Sequence, residues 1–189
     1  VIGEPSLIGE LQAAGFETRS DEHVRWVVIA FDRTFDYAKL NTALQAVTRR
    51  GARLIATNPD RTCPVDGGEI PDCAGMIAAV EAVTGHRVEV VVGKPSPIIL
   101  EDALRILGLP PADCAVVGDR LETDILMGKR QGLGTVLVLS GITRPGDPRI
   151  RAWHGIRQAG ELVAVAGDRS GADIGFLAGI AVRADRQGR

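Results

Sequence analysis

Apolar runs of strand length alternate along most of the chain with stretches whose apolar residues recur every three or four positions. Val1 to Gly3 reads as the end of a strand. Ser6 then caps a helix carrying Leu7, Ile8, Leu11 and Ala14 on one face, and Gly15 stops it. Val24 to Ala30 predicts a buried strand with Trp26 in the core. Asp36 caps the next helix, in which Tyr37, Leu40, Leu44 and Val47 keep helical spacing as far as Gly51. Leu54 to Ala56 is a short strand, and the Pro-, Gly- and Asp-rich segment from Asn58 to Asp72 reads as a loop. Gly75 to Thr84 is helical with Met76, Val80 and Val83 inward and Gly85 as its stop. Val88 to Val92 follows as a strand. Ser96-Pro97 opens a helix that runs to Leu107, because serine caps and proline suits the first turn. Cys114 to Val117 is an apolar strand, Leu121 to Gln131 a helix stopped by Gly132, and Thr135 to Leu139 a strand. Such alternation predicts parallel β-α-β units, hence an α/β fold.

Composition narrows the class. The 189 residues are 45% hydrophobic and 24% charged, enough for a buried core in one domain or two small ones. A net charge of −2 excludes the basic footprint of a nucleic-acid binder. The longest apolar run, Ile174 to Val182, is about half of the roughly 18 residues a membrane span needs, so no membrane partner is expected. No secretory leader is visible, and three widely spaced cysteines (Cys63, Cys73, Cys114) suit a reducing compartment; a cytoplasmic location is expected. The chain opens on Val1-Ile2-Gly3-Glu4 without Met, which reads as a processed start or a fragment. Residues 141–189 carry eight arginines against five acids, and there the alternation fades.

Three segments carry candidate chemistry. In Val116-Val117-Gly118-Asp119-Arg120-Leu121-Glu122-Thr123-Asp124 an apolar strand runs into Gly-Asp, and a second Asp follows as a helix begins. Ligands of open parallel sheets sit beyond the carboxyl ends of strands. Asp119 and Asp124 there offer oxygen ligands to a hard cation such as Mg²⁺, which keeps waters for a substrate phosphate. The plainer reading is two carboxylates complementing a helix N-terminus. Gly93-Lys94-Pro95-Ser96-Pro97 lies between a strand and a helix, so Lys94 is placed to neutralise phosphate oxygens, or is simply a solvated lysine. It is no Walker A loop, since Val88 and Pro95 stand where Gly and Ser/Thr belong. The segment from Ala56 to Gly75 is made of turn formers first and of specificity residues second. Histidines show no ligand spacing, and no Gly-x-Ser-x-Gly elbow appears.

Together, Phe31-Asp32-Arg33-Thr34-Phe35-Asp36-Tyr37, Ile55-Ala56-Thr57-Asn58-Pro59-Asp60, Val92-Gly93-Lys94-Pro95-Ser96-Pro97 and Val117-Gly118-Asp119 through Asp124-Ile125-Leu126 resemble the haloacid dehalogenase-like (HAD) phosphatases. Val138 to Thr143 fits the segment after the next strand. The branch is the NagD-like sugar phosphatases with an α/β cap. The resemblance, from about Val1 to Thr143, implies an α/β cap over residues 1–88 and the C-terminal half of a Rossmann-like HAD core over 89–189, with 144–189 departing from the family pattern. It implies a phosphomonoesterase of small phosphorylated substrates such as sugar phosphates, using Mg²⁺. Lys94 neutralises the phosphoryl group, Asp119 ligates the metal, and Asp124 supports it directly or through water. Asn58 and Asp60 lie where the cap meets substrate. The family's Asp-x-Asp-Gly nucleophile motif occurs nowhere in the 189 residues. A truncated chain, inactive alone, is therefore expected, or else a non-catalytic phosphate- and metal-binding or interaction module. Without the nucleophile strand, Cys114 to Val117 is expected to be an open apolar edge, which favours oligomers and poor solubility.

Overall fold

Strict alternation of faces decides the first sheet. In Trp26–Ile29 (β1), Val27 and Ile29 are buried, so Trp26 is turned outward. It is 37% exposed, under the Arg53 guanidinium at 4.2 Å, and the core position expected for it is corrected. Arg53–Ala56 (β2) repeats the pattern with Leu54 and Ala56 buried. β1 and β2 are parallel, with Val27 opposite Leu54 and Ile29 opposite Ala56. The structure, a computed structural model, describes residues 1–139, 141–154, 174–177 and 180–183. It divides into two compact units, Val1–Gly93 and Lys94–Arg189.

In the first unit, Pro5–Ala13 (α1) starts at a proline after Glu4, without a side-chain cap, and buries no residue. Neither the Ser6 cap nor the buried apolar face predicted for it forms. Proline needs no N–H partner at a first helical position, which moves the start upstream. Tyr37–Arg50 (α2) is capped by Asp36 and ends on Gly51 at φ 69°, the left-handed conformation glycine adopts freely. It buries Ala43, Ala46 and Val47, whereas Tyr37 is 83% exposed. The loop predicted over 58–72 contains a hairpin, Thr62–Val65 (β3) against Gly68–Pro71 (β4), turning at Asp66-Gly67. Asp-Gly is a hairpin signal, obscured here by Pro64 and Pro71; a two-stranded ribbon tolerates both because every strand in it is an edge. Cys73–Thr84 (α3) starts earlier than expected because Asp72 accepts the Cys73 N–H. Its buried face is Cys73, Met76, Val80 and Thr84, and this leaves Val83 exposed. Val90–Val91 (β5) pairs parallel with β2. That pairing carries the first unit to Gly93, past the 88/89 boundary expected from the sequence. The core collects Ile29, Leu54, Val80 and Ala56. Full burial stabilises by about 1.5–3 kcal/mol for each Ile, Leu or Val.

The second unit begins with Pro97–Leu107 (α4), capped by Ser96 and burying Leu100 and Ala103. Cys114–Gly118 (β6) follows, then a π-helical turn Leu121–Ile125, Leu126–Arg130 (α5), Gly134–Leu137 (β7) and Pro148–His154 (α6). Ile174–Leu177 (β8) and Ile180–Arg183 (β9) complete a sheet of order β7-β6-β9-β8. β7 is parallel to β6. β9 is antiparallel to it, with Cys114 opposite Val182 and Val116 opposite Ile180. The open edge expected on β6 is therefore covered by β9. The departure from the family pattern expected over 144–189 lies, for residues 155–173, 178–179 and 184–189, outside the described residues. Among the described residues no helix is long and apolar enough to cross a membrane.

Candidate active site

β6 delivers the chemistry of the second unit. Its inward residues Cys114 and Val116 are 3% and 2% exposed and anchor the strand on Leu100 and Met127. The chain leaves the sheet at Gly118, and Asp119 stands at the carboxyl end. The next turn is wound wide: the Asp124 and Ile125 N–H groups both donate to the Arg120 carbonyl, at 3.0 and 3.3 Å. Such π turns recur at functional sites. Here the turn folds Asp124 back, so that its Oδ2 accepts the Arg120 N–H at 3.1 Å. Asp124 is 4% exposed. A carboxylate so buried needs a partner, and Lys94 supplies it, with Nζ 2.6 Å from Asp124 Oδ1. The lysine side chain is 44% exposed. An ammonium has three N–H donors, so Lys94 can hold Asp124 and a phosphoryl oxygen together. Gly118 has no side chain because there is no room for one. A Cβ on it would lie 2.2 Å from Asp124 Cγ.

Asp119 is held from a different segment. Its Oδ2 accepts the Ile142 N–H at 2.8 Å, and its carbonyl accepts the Thr143 N–H at 3.0 Å. Leu121, Ile125 and Leu137, all nearly inaccessible, form an apolar cluster of the same unit. The donor set fits Mg²⁺. That ion takes one or two carboxylates and keeps its waters. Asp124 has both carboxylate oxygens engaged, one by Lys94 and one by the Arg120 N–H, whereas the bonds of the Asp119 carboxylate described above involve Oδ2 alone. Among the described residues no group of three or more His, Cys, Asp or Glu could hold a metal, which disfavours a zinc cage.

Asn58 and Asp60 belong to the first unit. Asn58 Nδ2 donates to Asp60 Oδ2 at 3.1 Å and to Asp72 Oδ1 at 3.3 Å. Asp72 was missed as a member of this cluster; the signal for it was its place just before a helix. The adjoining Cys73 is fully buried, and burial pushes its thiol up, away from the thiolate a nucleophile needs. A cavity of about 460 Å³ also lies in the first unit, between α1, β1 and α2, and is lined by none of the five expected site residues.

The HAD-hydrolase-like family model matches residues 91–164. The sugar phosphatase AraL of Bacillus subtilis is 42% identical over 151 residues, covering 79% of this chain and 55% of that protein. Among solved structures, the p-nitrophenyl phosphatase of Archaeoglobus fulgidus superposes with a TM-score of 0.73 at 42% identity, over 82% of this chain and 59% of that one. NagD of E. coli gives 0.66 at 38% identity, over 75% and 54%. The chain thus spans little more than half the length of these relatives.

Proposed function

The chain belongs to the HAD-like hydrolases, and from that membership we propose that it carries the metal- and phosphate-binding half of a Mg²⁺-dependent phosphomonoesterase of small phosphate esters, sugar phosphates first. One observation carries the reading: the Lys94–Asp124 pair, 2.6 Å apart, at the end of the strand that presents Asp119. Asp119, with Asp124 in support, would hold Mg²⁺, which would supply charge neutralisation for the phosphoryl oxygens. Lys94 binds the phosphoryl group and is itself oriented by Asp124. The substrate-selecting role of Asn58 and Asp60 rests on the resemblance to the family. Three free cysteines, two of them buried, support a cytoplasmic setting.

A second reading, a phosphate- and metal-binding module without turnover, is favoured by the absence of Asp-x-Asp from the 189 residues. Calorimetry separates the outcomes. Mg²⁺ is expected to bind the chain and to tighten its affinity for inorganic phosphate about tenfold, through charge neutralisation. Asp119→Asn is expected to abolish both effects. Unchanged Mg²⁺ affinity in that variant removes the metal assignment. Phosphate release from a panel of sugar phosphates, dependent on Mg²⁺ and lost in Asp119→Asn, would select turnover by this chain and place a nucleophile within it.

A further inference from the structure

We infer that Gly141 is a positioning residue for Asp119: the strap Gly141-Ile142-Thr143 fixes the carboxylate, so metal affinity depends on a residue that touches no ligand. The inference rests on Asp119 being the metal-binding carboxylate. Three observations meet at this strap. A Cβ built on Gly141 would lie 1.9 Å from Asp119 Oδ2, 2.5 Å from its Cγ and 2.6 Å from its Cβ, and these are its three nearest atoms. The Ile142 N–H donates to the same Oδ2 at 2.8 Å. The Thr143 N–H donates to the Asp119 carbonyl at 3.0 Å, and Thr143 is 0% exposed, so the strap cannot drift outward without unburying it.

These contacts restrain both ends of one residue. The carbonyl bond holds the Asp119 backbone, and the Oδ2 bond holds its χ1 and χ2. One carboxylate oxygen is thereby given to the strap, which sets the direction of the other. Glycine at 141 is required for space and not for conformation, because its φ lies outside the left-handed region. Alanine is therefore tolerated by the backbone torsions there, and its methyl group meets Asp119 first. The carboxylate cannot simply swing away, since the added carbon also meets Asp119 Cβ, which moves only with the main chain. An Mg²⁺ site tolerates little displacement, because the ion demands near-ideal octahedral geometry.

The test uses the full chain and Mg²⁺ alone as probe. Gly141→Ala is expected to weaken Mg²⁺ binding by the folded fraction at least tenfold by calorimetry, and to lower the metal-free melting temperature by a few degrees, as overpacking does. Ile142→Ala keeps the backbone N–H and is expected to bind Mg²⁺ normally. A purely structural glycine would lower the metal-free melting temperature and leave the affinity of the folded fraction unchanged, and that result overturns the inference. If Gly141→Ala does not fold, the unsubstituted chain still decides. The Ile142 amide resonance is expected to shift on adding Mg²⁺, since its acceptor is polarised by the ion, and not to shift in Asp119→Asn. An Ile142 amide indifferent to bound Mg²⁺ overturns the inference. Normal Mg²⁺ affinity in Asp119→Asn, or no binding by the unsubstituted chain, instead removes the metal assignment and the inference with it. Loss in Asp119→Asn together with normal affinity in Gly141→Ala removes the inference alone.

Discussion

Lys39→Met is expected to destabilise the first unit by about 3 kcal/mol at neutral pH, and the deficit is expected to shrink as the solution is acidified. The cause is Asp32, whose side chain is 0% exposed and bonds Lys39 Nζ at 2.6 Å. Burial pushes the Asp32 carboxyl up, but bonds from Lys39 and Thr34 more than offset it, so it lies below the ordinary carboxylate value. With a depressed folded-state pKa, Asp32 contributes stability above the unfolded value of about 3.9. That contribution is lost as pH falls through the lower folded value. Methionine keeps the stem of the side chain and removes the cation, leaving a buried carboxylate with only Thr34 as partner. Its pKa then rises, and the variant relieves the strain by taking up a proton. Urea unfolding at pH 7, 5 and 4 checks this, and a deficit that does not change with pH contradicts it. Asp32→Asn in the Lys39→Met background should recover much of the loss, because a neutral amide needs no cation.

Gly118→Ala should do comparable damage in the second unit and reach the site directly. The methyl group would sit 2.2 Å from Asp124 Cγ and 2.3 Å from its Cβ. Asp124 is anchored by the π turn, so it cannot yield without moving that turn. Overpacking of this kind costs about 1–3 kcal/mol, and separating Asp124 from Lys94 adds to it. Mg²⁺-linked phosphate binding is expected to fall below detection. The two tryptophans lie one in each unit, so Trp153 fluorescence in a Trp26→Phe background reads the second unit alone. Gly9→Ala, where nothing lies within 4 Å, is the control. An unchanged unfolding midpoint, with phosphate binding intact, would contradict the packing argument.

Much of this was legible in the sequence where the determinants are local. The caps Asp36 and Ser96 and the stop Gly51 act within a turn or so of themselves, and α2 and α4 follow them. Asp119 and Asp124 are five residues apart on a strand-to-helix junction, so their placement near one strand end could be read directly. Lys94 stood out as a candidate, but its contact with Asp124 crosses from another element, and spacing says nothing about it. Trp26 misled because apolar character does not choose between the two faces of a short strand; the neighbours Val27 and Ile29 choose for it. Gly141 carried no local signal, since what it makes room for lies at Asp119. The partner of β6 was illegible for the same reason: register between distant strands is set by tertiary packing.

β6 meets its two partners at very different times during synthesis. β7 follows it closely, but β9 begins only at Ile180. At ~5–20 residues per second, the interval from Gly118 to Ile180 lasts roughly 3–12 seconds on the ribosome. Through that interval one side of an apolar strand shows its main-chain groups to whatever is nearby, including β6 of a neighbouring nascent chain. Slow translation across this stretch would be felt as aggregation in the cell, with no change in the stability of the finished protein.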